Sequence, residues 1–381
     1  MRIAIGRAVL AVILGISSAA AYAQSTRGES RWSLVNENVR TNWFDIVPSG
    51  ADLGAQYLLP PFARGLDTFA EIDVGGGYVQ NVFFRNQLGE PLNGPYTTAQ
   101  TTFNQSEFLG AIGLRQGLLF NAGLGKNRLE AFGFYRLHYN YDYQSSPEQL
   151  VFQASSFPDR TQILSNSILA GFDYDTIRYD LLHKVRRGTY AELSAEWGPG
   201  FLFNSIGQSD YLRFNLTSKT FRTLYTSDVA RRMNRFSIYA GDYFSADWAT
   251  GSSIPIFVMQ TFGGRLLLDG LGQAVRGFEE GGWDTNFKAV NSLELRATGP
   301  AIYLPSIVPG LFVFFDSGYY GGGYARSAVQ ENGGFLASVG TGAYLVTIDL
   351  VNITLYIAFP VHGKRIDGAP YEIATFFHLD F

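Results

Sequence analysis

From Arg128 to Tyr143 the chain alternates with a period of two. Leu129, Ala131, Gly133, Tyr135, Leu137, Tyr139, Tyr141 and Tyr143 share one side, and Arg128, Glu130, Phe132, Phe134, Arg136, His138, Asn140 and Asp142 the other. Period two is the signature of a strand whose two faces meet different surroundings. The rhythm returns from Thr189 to Trp197, where Ala191, Leu193, Ala195 and Trp197 oppose Glu192, Ser194 and Glu196. It returns again from Ser209 to Arg222, where Leu212, Phe214 and Leu216 oppose Arg213, Asn215 and Lys219. Strands of soluble sandwiches run to about 5–6 residues, whereas a tilted membrane strand needs about 9–11. The long runs predict an all-β protein, a transmembrane antiparallel β-barrel with its polar face turned to the lumen.

Twelve strands follow from this pattern, near 69–83, 107–120, 128–143, 163–176, 188–203, 209–225, 234–247, 287–298, 310–320, 335–346, 352–361 and 371–381. Regions 84–106 and 144–162, rich in Gln, Asn, Ser, Pro and Gly, read as external loops. Residues 24–66 are less regular. They predict a short amphipathic helix around Trp32 to Phe44 and then a proline-broken segment, placed as a plug or at the periplasmic mouth, with the barrel occupying 67–381.

Composition changes this picture in three ways. The 381 residues include no cysteine, which excludes a disulfide framework and thiolate chemistry. A formal net charge of −4 argues against a nucleic-acid partner. The 31 phenylalanines, 22 tyrosines and 43 glycines suit aromatic girdles at two membrane interfaces and tight turns between strands. Helical spanning is not expected, because Ala301 to Phe315 is short and broken by Pro305 and Pro309.

Both ends of the chain carry export signals. Arg2 and Arg7, the apolar run from Ala8 to Ile16 and Ala21-Tyr22-Ala23 have the order of a secretory signal peptide over residues 1–23. At the other end Tyr371, Ile373, Thr375, Phe377, Leu379 and Phe381 alternate with Glu372, Ala374, Phe376, His378 and Asp380. Many bacterial outer-membrane barrels end in such a strand with a terminal Phe, and the likeness implies recognition by the barrel assembly machinery.

One long connection, between the strands ending near Trp248 and starting near Phe287, contains Gly263-Gly264 and then Val275-Arg276-Gly277-Phe278. Asn291-Ser292-Leu293-Glu294-Leu295, Phe314-Phe315-Asp316-Ser317-Gly318 and Ser338-Val339-Gly340-Thr341-Gly342 follow in order. These segments resemble the BamA/TamA superfamily of surface-antigen outer-membrane barrels. The resemblance implies that the Val275–Phe278 loop folds back into the barrel and that Arg276 pairs with acidic wall residues. Alternation independently turns Glu294 and Asp316 to the lumen, which makes them the expected partners of Arg276. A weaker match is Tyr174-Asp175-Thr176-Ile177-Arg178 followed by Arg186-Arg187-Gly188-Thr189-Tyr190, where Ile177 and Val185 depart from the family pattern.

Two departures bear on function. Family members that assemble or secrete proteins carry periplasmic POTRA modules ahead of the barrel, and too few residues precede the first strand to hold them. The resemblance implies a barrel of about sixteen strands, so either strands are missed, or the barrel is smaller, or two chains combine in a homodimer. Enzyme motifs are sparse: Gly123-Leu124-Gly125-Lys126 lacks a phosphate-loop spacing, and His138, His183, His362 and His378 lack metal-ligand spacing. No catalytic residue, metal or other cofactor is expected. The sequence therefore predicts an integral protein of the bacterial outer membrane, in contact with its lipid and lipopolysaccharide. It passes or inserts protein or lipid together with a separate periplasmic or secreted partner. A passive pore and a barrel-embedded hydrolase stand as the alternatives.

Overall fold

The computed structural model describes residues 39–47, 50–62, 65–83, 102–121, 126–144, 162–180, 185–227, 235–259, 275–278, 285–302, 307–321, 334–347, 351–365 and 368–380. The expected signal peptide 1–23, Gly263-Gly264 and Phe381 lie outside them. The described chain is a run of antiparallel strands: β1 Val39–Val47, β2 Gly50–Leu59, β3 Thr68–Phe83, β4 Thr102–Asn121, β5 Lys126–Tyr143, β6 Gln162–Asp175, β7 Arg178–Asp180 and β8 Val185–Gly198. Then come β9 Asp210–Thr226, β10 Ser237–Ser253, β11 Phe287–Thr298, β12 Ile307–Gly321, β13 Gly334–Thr347, β14 Val351–His362 and β15 Glu372–Asp380. Consecutive strands pair, β6 pairs with β8, and β1 pairs with β15. Followed from neighbour to neighbour, the pairings return to their starting strand, with β7 a short continuation of β6.

All twelve expected strands are present, from β3 to β6 and from β8 to β15. The segment 199–203, expected as strand, forms turns instead, because Pro199 and Gly200 end β8. The larger correction is at the N-terminal side. Residues 39–59, expected as part of a plug and a helix, are the β1–β2 hairpin within the wall. Their strand character was hidden because Trp43 and Phe44 are adjacent, as are Ile46 and Val47, so no clean alternation marks a face. The hairpin fills only part of the wall's height. The β1–β15 ladder runs from Trp43↔Asp380 to Ile46↔Phe377, and β2 reaches only Gly77 of β3, which continues to Phe83.

The longest connections, 84–101, 144–161, 199–209, 254–286 and 322–333, lie at one end of the strands together with the shorter 48–49 and 363–371, and none at the other end, 60–67, 122–125, 176–184, 227–236, 299–306 and 348–350, exceeds ten residues. Outer-membrane barrels keep their short turns on the periplasmic side.

The faces separate as the period-two pattern requires. On β8, Leu193 and Trp197 are 60 % and 47 % exposed, while Glu192, Ser194 and Glu196 between them are buried. On β11 and β12 Leu293, Leu295, Leu311 and Val313 point outward, and Lys288, Ser292, Glu294 and Asp316 inward. A continuous apolar exterior around polar strands is the reverse of a soluble fold and suits a bilayer. The interior is not polar alone. Phe132, Phe134, Phe312, Phe314, Tyr344 and Tyr356 are buried inside, on the face expected to be hydrophilic. They are there because lumenal arginines lie on them. Arg115 covers Phe132 and Phe134 at 5.0 and 5.3 Å, and Arg296 covers Phe312 and Tyr344 at 5.3 and 5.4 Å. Such stacking stabilises a cation where water is scarce.

Candidate functional site: a loop bound inside the barrel

The connection from β10 to β11 enters the lumen at two described places. Its first stretch forms a helical turn, Ile256–Met259, in which Val258 packs against Tyr211 and Ala249. The Lys288 ammonium donates to the Val258 carbonyl, and the Phe257 ring stacks on His138 at 3.6 Å. Its second stretch is the turn Val275–Phe278, closed by a bond from the Phe278 N–H to the Val275 carbonyl at 3.3 Å. Val275 and Phe278 are buried in a cluster with Val185, Phe221, Tyr239, Tyr243, Val290 and Leu336. The two apolar residues of the motif thus seat the turn, and the arginine between them is aimed at the wall.

Arg276 meets both acids that alternation turned inward. Its Nε donates to Asp316 Oδ2 at 2.6 Å and its Nη2 to Asp316 Oδ1 at 2.7 Å, a two-pronged contact that fixes the plane of the guanidinium. Its Nη1 donates to Glu294 and its Nη2 also to Ser292 Oγ at 2.8 Å. The backbone N–H of Arg276 adds a bond to Asp316 Oδ2 at 3.1 Å. Phe314 closes the face of the guanidinium, 3.6 Å from ring centre to Cζ. Burial works against the charge of Arg276, and Asp316 and then Glu294 more than offset it, so its pKa lies above the ordinary arginine value.

Several contributors went unread in the sequence. The Gly277 N–H donates to Glu372 Oε2 at 2.6 Å, the Tyr356 hydroxyl donates to the same oxygen at 3.2 Å, and Arg365 donates to the Gly277 carbonyl at 3.1 Å. Glu372 and Tyr356 carry a readable signal, since each lies on the inward parity of its strand. Arg365 sits between strands and carries none. Gly277 has a reason to be glycine: its φ is +93°, and a Cβ there would lie 3.2 Å from Ser338 Cβ and 3.3 Å from Ala358 Cβ. Ser338 belongs to the Ser338–Gly342 segment of the sequence pattern, so that segment borders the turn. Of the C-terminal residues, Tyr371 and Ile373 point outward; the side chains of Phe377 and Leu379, like Phe381, lie outside what the structure describes.

Another group of lumenal charges forms a second network. Arg213 donates through Nε to Asp247 Oδ2 at 3.1 Å and approaches Glu196 at 3.7 Å. Glu196 also takes Arg136 at 2.9 Å, Ser167 at 2.7 Å and Tyr211 at 3.1 Å, and Asp247 takes Asn215 at 3.0 Å. Chemically both networks hold fixed charge in place. Among the described residues no group of three or more His, Asp or Glu is arranged to hold a metal.

No family model matches the chain, and no curated protein matches it. Among solved structures it is similar to BamA from Haemophilus ducreyi lacking POTRA domains 1–3, at 13 % identity and a TM-score of 0.48, covering 87 % of this chain and 62 % of that one. It is also similar to CdiB from Escherichia coli, at 11 % identity and TM-score 0.49, and to CdiB from Acinetobacter baumannii, at 10 % and 0.47; this chain spans 53 % and 50 % of those proteins. BamA and CdiB barrels are thus among the solved structures to which the chain is similar.

Proposed function

We propose that this protein is an integral outer-membrane barrel that inserts or passes protein or lipid, and that the Val275–Phe278 turn controls the state of its lumen. The observation that carries the reading is the guanidinium of Arg276, delivered by a connection and buried against two wall carboxylates. A passive pore needs no such arrangement, since taking charges out of water costs several kcal/mol per ion and is offset only by good partners. The turn also touches β11, β12, β14 and β15, through Glu294, Asp316, Tyr356 and Glu372, so its position is coupled to the last strands of the wall. Those strands lead to the β1–β15 seam, which among the described residues has four pairs, fewer than any other junction between neighbouring wall strands.

The chain has no cysteine, so a pair introduced at Phe44 and Leu379, which are partners in the register, would be its only thiols. An oxidised F44C/L379C protein is expected to fail to rescue a depletion strain scored for misassembled barrels and lost lipid asymmetry, and to recover on reduction. Equal rescue in both states would remove the seam from the mechanism, and a depletion strain without misassembled barrels or lost lipid asymmetry, together with steady single-channel conductance in planar bilayers, would establish a passive pore.

A further inference from the structure

The hairpin Tyr174–Tyr190 borders the loop site through Val185 and Ile177, and it also carries an unusual charge pattern on the outer wall. Arg178 of β7 is in register with Arg187 of β8. Gly188 is opposite Phe221, so Arg187 is followed across the ladder by Arg222 of β9. All three side chains are exposed and lie on the outward parity, with Leu193 and Trp197 on β8 and Leu216 and Leu224 on β9. Like charges directly opposite one another destabilise a sheet unless something of opposite charge sits between them. None of the three has a carboxylate partner among the described residues. Among the outward acids whose side chains are described, Asp242 is opposite Thr220 and accepts a bond from Asn291 at 2.8 Å.

The height of this row is informative. Ile168, Trp197 and Leu212 form a second row across the same strands, and each arginine lies ten positions along from its member of that row. Ten residues span about 33 Å along a strand, or roughly 25 Å along the membrane normal at a barrel's tilt, which is the height of an apolar band. If Trp197 marks one interface, the arginines mark the other, at the end of the short turns. A recess of about 560 Å³ opens there, lined by Arg187, Thr189, Thr220, Arg222 and Leu224 among others. Two hydroxyls, Thr189 Oγ1 and Thr220 Oγ1, lie 3.4 Å apart beside the arginines.

We propose that Arg178, Arg187 and Arg222 form a site on the outer wall for the phosphodiester of an anionic phospholipid in the periplasmic leaflet. The guanidinium groups take the phosphate oxygens, Thr189 and Thr220 add hydroxyl donors, and Leu224 and the apolar band above receive the acyl chains. The site rests on the membrane-spanning reading of the barrel but not on the loop's role.

The test is native mass spectrometry of the full chain released from bilayers containing phosphatidylglycerol and phosphatidylethanolamine in equal amounts. The parent is expected to retain phosphatidylglycerol selectively, and R178Q/R187Q/R222Q to lose that selectivity by about a hundredfold, roughly fivefold for each arginine. The corresponding triple lysine variant should keep part of it. Equal retention by parent and glutamine variant, displacement of the lipid by millimolar inorganic phosphate, or preference for lipid A when it is added to the same bilayers would each overturn the site. Heat-modifiable migration and protease protection in vesicles report insertion independently. A parent that fails to insert overturns the barrel and this site together, whereas an inserted parent without selectivity overturns the site alone.

Discussion

Arg213 and Arg276 are both buried in the lumen and both face two carboxylates, but they come to their partners by different routes. Arg213 is on β9, and its acids are on the adjacent strands β8 and β10, already brought close by backbone pairing. Arg276 belongs to a connection, and its partners on β11 and β12 have no ladder to hold it near them. The same chemistry therefore has different consequences. The Arg213 contacts add to a wall that the ladder fixes anyway. The Arg276 contacts, with Val275 and Phe278, decide where a loop sits. A charge-assisted contact controls conformation when nothing else already does.

The sharpest way to break this contrast is Arg276→Ala. It leaves Asp316 buried without its cation and with only Ser292 beside it, while Glu294 keeps Arg296, a loss of about 3–5 kcal/mol. The turn should then leave its seat, seen as new protease cleavage in the 254–286 connection with the strands still protected. Unchanged protection would end the idea that the arginine holds the loop. Arg213→Ala is expected to cost less, about 1–3 kcal/mol, because Asp247 keeps Asn215, and Glu196 keeps Arg136, Ser167 and Tyr211. It should lower the unfolding midpoint in denaturant while leaving loop cleavage at the parent level. If it released the loop as Arg276→Ala does, the two networks would be one.

Gly277→Ala isolates the backbone part of the seat without touching charge. A φ of +93° with Ser338 and Ala358 at 3.2 and 3.3 Å leaves a methyl group no relaxed position, and about 1–2 kcal/mol is expected. Loop cleavage should rise above the parent and stay below Arg276→Ala. The smallest effect belongs to Phe257→Ala, which removes the stack on His138 and about 0.5–1.5 kcal/mol. Cleavage near Ile256–Met259 should increase with the Val275–Phe278 turn still protected, showing that the connection is held at two separable points.

Much of the wall was legible because a strand between lipid and lumen must alternate, and long stretches of β5, β8, β9 and β11 do so. Glu294 and Asp316 could be assigned to the lumen by parity alone. β1 and β2 were not legible, because adjacent Trp43-Phe44 and Ile46-Val47 mask any alternation. The inward aromatics were missed for a related reason: a period-two reading sorts residues by polarity, and Phe314 belongs with the polar face because of the arginine lying on it.

The sequence by itself determined twelve strands and the inward facing of Glu294 and Asp316, because these depend on a period of two along a single chain, while Arg276 was marked out by the resemblance of its loop motif. It did not determine that Glu372 caps Gly277, that Tyr356 shares that carboxylate, or that Arg178, Arg187 and Arg222 form one row. Those facts depend on the register between strands, and a ladder may slide by two residues without changing which side of the wall any residue faces. Only the folded sheet, with each strand held against both neighbours, chooses among those registers.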